Sequence, residues 1–135
     1  MPVASGPFDV KLIPQDLSET AAEARLGRNA LDKQFHGDLA AHSRGEMLSA
    51  LGEVKGSAAY VAIERVDGTL DGKRGSFALV HTGTMARGAS TLTISVVPDS
   101  GTGELAGLSG AMSIKIVDGK HTYSFDYALN AEEQA

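Results

Sequence analysis

The sequence predicts an all-β protein, an eight-stranded antiparallel up-and-down barrel, and three observations carry that expectation. Apolar and polar residues alternate with period two over most of the chain. Glycine is abundant, 16 of 135 residues, and scattered instead of gathered into one linker. Tight-turn dipeptides recur at near-regular spacing between the alternating runs, the pattern of a sandwich or barrel. Closure into a barrel also removes the exposed edges that an open sheet would leave.

Taken in order, the first strand is expected around Phe8–Leu12. A short helical turn follows near residues 16–25, where Thr20 and Glu23 have capping-box spacing and Gly27 acts as a stop. Further strands are expected at Arg28–His36, Leu39–Ala50 and Ser57–Thr69, with a turn at Gly37-Asp38. Asp-Gly tolerates the positive φ angles of a type I′ turn, so Asp67-Gly68, Asp71-Gly72 and Asp118-Gly119 are all hairpin candidates.

A two-residue loop at Asp71-Gly72 sets Val66 opposite Phe77, Glu64 opposite Leu79 and Ala62 opposite His81. A second turn at Arg87-Gly88 sets His81 opposite Ile94, Leu79 opposite Val96 and Gly83 opposite Leu92. Glu64 and His81 thereby become diagonal neighbours on an apolar face. A three-residue loop over Leu70–Lys73 would instead move Glu64 to the other face. Pro98–Ser109 reads as a Gly-rich connection. In the last hairpin, about Asp118-Gly119, Met112, Ile114, Ile116, His121, Tyr123, Phe125 and Tyr127 share one face.

Composition narrows the function. The chain reads as a single domain over residues 1–135. A net charge of −5 argues against nucleic acid or an anionic membrane as partner. Cysteine is absent, which excludes disulfides, thiol nucleophiles and cysteine-ligated metals. No signal peptide and no run of about 18 apolar residues is visible, so a cytoplasmic location is expected.

Two glycine-rich motifs carry little chemistry. Gly101-Thr-Gly103-Glu-Leu-Ala-Gly107 lacks both the spacing and the βαβ context of a phosphate loop, and reads as a turn with a bulge. Gly107-Leu-Ser109-Gly110 lacks the strand-turn-helix of a nucleophile elbow. The histidines at 36, 42, 81 and 121 show no metal-ligand spacing, so no metal and no cofactor is expected.

Glu64 and His81 are the candidate catalytic residues. A buried carboxylate is costly unless paired. One reading is structural, with Glu64 hydrogen-bonded to His81, Tyr60 or Tyr123. The other is a general acid or base, with the Glu64 pKa raised by desolvation and His81 as partner. Tyr60, Glu64, His81 and Tyr123 form the candidate ligand-binding set. Ala62, Gly83 and Gly110 leave space on the inward faces, which favours an apolar or amphipathic small-molecule ligand in the lumen. The alternatives are a cofactor-free isomerase or cyclase, or a structural or homo-oligomer-forming module with a filled barrel.

A family resemblance rests on a string of residues: Glu64-Arg65 with Gly68, Gly75-Ser-Phe77, His81-x-Gly83, Val97-Pro98, Ser100-Gly-Thr-Gly-Glu-Leu-x-Gly107, His121-x-Tyr123 and Asp126-Tyr127. Together they resemble the bacterial family called domain of unknown function 3224. The resemblance implies an eight-stranded barrel similar to plant allene oxide cyclase. There, a glutamate inside the barrel assists a cofactor-free cyclisation in an apolar cavity; Glu64 is an interior glutamate here, a likeness at the level of the fold. The chain departs from its relatives in having no tryptophan before Val96-Val97-Pro98 and a shortened turn at Met85-Ala-Arg-Gly88.

Overall fold

A computed structural model describes residues 2–129. Its strands are β1 (Val3–Pro14), β2 (Gly27–Phe35), β3 (Leu39–Leu51), β4 (Ala58–Leu70), β5 (Lys73–Ala86), β6 (Ala89–Val96), β7 (Ser109–Val117) and β8 (Lys120–Ala128). They form a closed antiparallel barrel in chain order, β8 returning to β1. No helix among the described residues is long and apolar enough to cross a membrane.

Three two-residue turns set the hairpin registers. Asp71-Gly72, Arg87-Gly88 and Asp118-Gly119 all have positive φ at both positions, as the type I′ turn demands. The expected pairings follow: Glu64 with Leu79 and Ala62 with His81, His81 with Ile94, and Ile114 with Tyr123. Asp67-Gly68 is not a turn. It lies inside β4, where Asp67 pairs with Ser76 and Gly68 with Gly75, because the next Asp-Gly closes the hairpin.

α1 (Glu19–Glu23) is a single helical turn between β1 and β2. Its cap is Ser18, whose Oγ accepts the Ala21 N–H at 3.1 Å, and not the Thr20–Glu23 box. Thr20 is already helical, and Ser18 carries the extended backbone that an N-cap needs. β1 is longer than its sequence pattern suggests because it closes the barrel. Val3–Phe8 pair with β8 and Phe8–Pro14 with β2.

The two ends of the barrel differ. At one end Phe35, Leu39, Val66, Phe77, Tyr123 and Phe125 fill the lumen, with Phe77 stacked on Phe125 at 5.9 Å and 15°. The glycine-rich connection plugs this end through a 3-10 turn at Gly103–Leu105 that buries Leu105 and Leu108. It is stitched to β5 by the Ala78 N–H to Ser100 Oγ bond at 3.0 Å and the Ser76–Thr102 hydroxyl pair at 2.6 Å. At the other end the inward-facing Leu12, Met85, Leu92 and Ile116 remain 54%, 42%, 43% and 63% exposed. There, the alternation points apolar side chains into a lumen that no described side chain fills.

Candidate functional site

At the floor of the open end, four adjacent strands each contribute one inward polar side chain: Lys33 from β2, Ser43 from β3, Glu64 from β4 and His81 from β5. Glu64 is 0% exposed. Its Oε2 accepts from Lys33 Nζ at 2.8 Å and lies 2.5 Å from His81 Nε2, while Oε1 accepts from Ser43 Oγ at 2.7 Å. Lys33 reaches across β3 because Gly45, the residue opposite Glu64, has no side chain. A Cβ at Gly45 would stand 2.6 Å from Glu64 Cα. Lys33 Nζ also lies 5.5 and 5.8 Å from the ring centroids of Phe8 and Phe35.

This surrounding reverses the expected electrostatics. Burial pushes the Glu64 carboxyl up, but the His81 hydrogen bond, the Lys33 charge and hydrogen bond, and the Ser43 hydroxyl outweigh it, leaving a pKa of about 2. The sequence-based expectation of a raised pKa is therefore corrected, since it counted desolvation without Lys33 and Ser43. An ionised carboxylate only accepts hydrogen bonds, so His81 Nε2 carries the proton. Among the described residues every buried side-chain N or O atom has a partner. His81 is itself buried, at 3% exposure.

The pKa of Glu64 makes the fold acid-sensitive. A carboxyl lowered in the folded state stabilises fully above its unfolded value of 4.5, and that stability is lost as pH falls toward about 2. The span corresponds to about 3 kcal/mol. The unfolding free energy from urea titrations is expected to drop by about 2.5 kcal/mol between pH 7 and pH 2.5, and by clearly less in the Lys33→Met/Glu64→Leu double variant. An equal drop in both proteins would assign the acid sensitivity to other groups.

The other sequence-predicted site residues fall elsewhere. Tyr60 does not bond Glu64. It is half-buried, with its ring centroid 6.4 Å from that of His81, and burial followed by the Glu64 charge raises its hydroxyl pKa. Tyr123 belongs to the filled end, where its hydroxyl donates to the His36 carbonyl at 2.6 Å and accepts the Leu39 N–H at 2.8 Å. Two of the small inward residues make way for neighbouring rings. A Cβ at Gly83 would come within 2.8 Å of the Tyr60 ring, and one at Gly110 within 3.1 Å of Phe125.

The open end holds a cavity of about 330 Å³ lined by Met47, Ser49, Tyr60, Gly83, Met85 and Leu92 among others. Tyr60 stands between this cavity and the Glu64 cluster. His36 and His42 sit apart on the outer surface, bonded to Asp9 at 3.1 Å and Asp32 at 2.7 Å. Among the described residues no group of three or more His, Cys, Asp or Glu is placed to hold a metal.

Lys33 and Ser43 were missed from the sequence, though a signal existed. Leu31-Asp32-Lys33-Gln34-Phe35 alternates so that Lys33 shares its face with Leu31 and Phe35. A lysine on an apolar face requires a buried counter-charge, and Glu64 supplies it.

Comparison with known proteins agrees with this barrel. No curated protein matches the chain. A crystal structure of a protein of unknown function from Shewanella oneidensis MR-1, of the DUF3224 family, is 52% identical, with a TM-score of 0.90 over 96% of this chain and 98% of that one. The model of the family "Protein of unknown function (DUF3224)" matches residues 4–127. With the family model spanning nearly all of the barrel, the chain belongs to the DUF3224 family.

Proposed function

We propose that this barrel binds an apolar or amphipathic small molecule in its open end. The observation that carries the reading is the set of inward-facing apolar side chains left exposed around an unfilled cavity, while the opposite end is packed and plugged. A folded protein buries such a lining against itself or against a ligand. The 330 Å³ cavity suits a compact ligand or part of a longer one. Its polar contacts come from Ser49 and the Tyr60 hydroxyl at the wall.

The isomerase or cyclase reading is less well supported. A general acid must hold a proton and a general base must approach substrate. Glu64 is ionised, fully engaged by three donors and screened from the cavity by Tyr60. Its cluster accounts for itself as a charge-paired brace across β2 to β5.

Titration with 1-anilinonaphthalene-8-sulfonate tests the binding reading. A saturable, single-site rise in fluorescence is expected, weakened at least tenfold by Met47→Trp, which fills the cavity. No saturable binding, or binding indifferent to Met47→Trp, would sink the proposal. Native mass spectrometry of protein purified gently from its host would identify a retained ligand.

A further inference from the structure

The barrel wall has one unzipped seam. β6 and β7 are paired only through Ile94 with Met112 and Ser95 with Ala111. From there toward the open end, Ala89–Thr93 keep their partners on β5 alone, and Ser113–Val117 theirs on β8 alone. The neighbouring rim is stitched instead: the Gly88 N–H bonds the Gly56 carbonyl at 2.9 Å, and the Arg87 N–H bonds Ser57 Oγ at 3.0 Å.

Alternation decides what lines this gap. Leu92 on β6 and Ile114 and Ile116 on β7 point inward, so both lips are apolar on the lumen side. Leu92 also lines the cavity, so the β6 lip of the gap borders it. Strand edges normally pair or are covered, and these two face each other. Continuing the observed register would bring Thr93 opposite Ser113 and Thr91 opposite Lys115.

Resting on the binding reading above, we propose that the gap between β6 and β7 is a side entrance. An elongated apolar ligand reaches the cavity through it, and zipping of the two strands shuts it. Such a ligand lies with its polar end toward Tyr60 and its apolar length between Leu92 and Ile116. The device is a two-state element: a few ladder bonds made or broken, with the rest of the barrel unchanged.

A kinetic staple tests this. The chain has no cysteine, so the Thr93→Cys/Ser113→Cys variant can form one disulfide only, between exposed outward-facing positions next to the last paired residues. Stopped-flow mixing with 1-anilinonaphthalene-8-sulfonate is compared for the oxidised and reduced forms. Oxidation is expected to slow both association and dissociation at least tenfold while leaving the dissociation constant within twofold, and reduction is expected to restore both rates. Unchanged rates with the disulfide formed overturn the side entrance and leave the binding reading standing. Absence of probe binding to the unaltered protein overturns both. Should the cysteines resist oxidation, Ile116→Trp bulks the same lip and is expected to slow both rates; unchanged rates there also overturn the entrance.

Discussion

Glu64→Leu is expected to destabilise the barrel by about 3–5 kcal/mol, read from urea unfolding at neutral pH. The substitution removes the only carboxylate beside Lys33 among the described residues, and Lys33 is itself buried. Its ammonium would be left with the rings of Phe8 and Phe35, whose attraction is worth far less than a hydrogen-bonded counter-charge. Ser43 and His81 would lose their acceptor as well. The companion variant Lys33→Met/Glu64→Leu is expected to recover most of the loss, because replacing both members of a buried ion pair with apolar groups leaves no charge unpaired. A single-variant loss under about 1 kcal/mol would show that Lys33 stays hydrated and that the cluster is no brace.

Phe125→Ala is expected to cost a similar amount, about 3–5 kcal/mol, through the cavity it would leave. Phe125 is 0% exposed and packs against Phe77 on one side and Tyr127 on the other. The plug formed by Leu105 and Leu108 closes this end, so little is free to collapse into the hole. Leu12→Ala and Ile116→Ala, at the open end, are expected to cost less than about 1 kcal/mol each, since their side chains contact mainly solvent. Equal losses at both ends would mean that the open end is packed in solution, and would remove the basis for a binding cavity.

Local signals on the chain specified much of this architecture. Period-two alternation marked which residues face inward, and Asp71-Gly72, Arg87-Gly88 and Asp118-Gly119 set three hairpin registers. Those registers make Glu64 and His81 diagonal neighbours on one face, as the structure has them. The physical reason is that a two-residue turn with positive φ at both positions admits one pairing, and each further pair follows by counting.

Tertiary structure decided what local rules do not reach. Lys33 and Ser43 meet Glu64 only because β2 and β3 lie beside β4 with Gly45 open between them, and that contact reversed the expected pKa of Glu64. The length of β1 depends on β8, more than a hundred residues away in the chain. Gly83 makes way for the Tyr60 ring, and Gly110 for Phe125 and the β8 backbone. Which end is filled depends on where the connection after β6 lands. Alternation tells each side chain which way to face, but whether it meets a neighbour or open space depends on strands brought together by barrel closure.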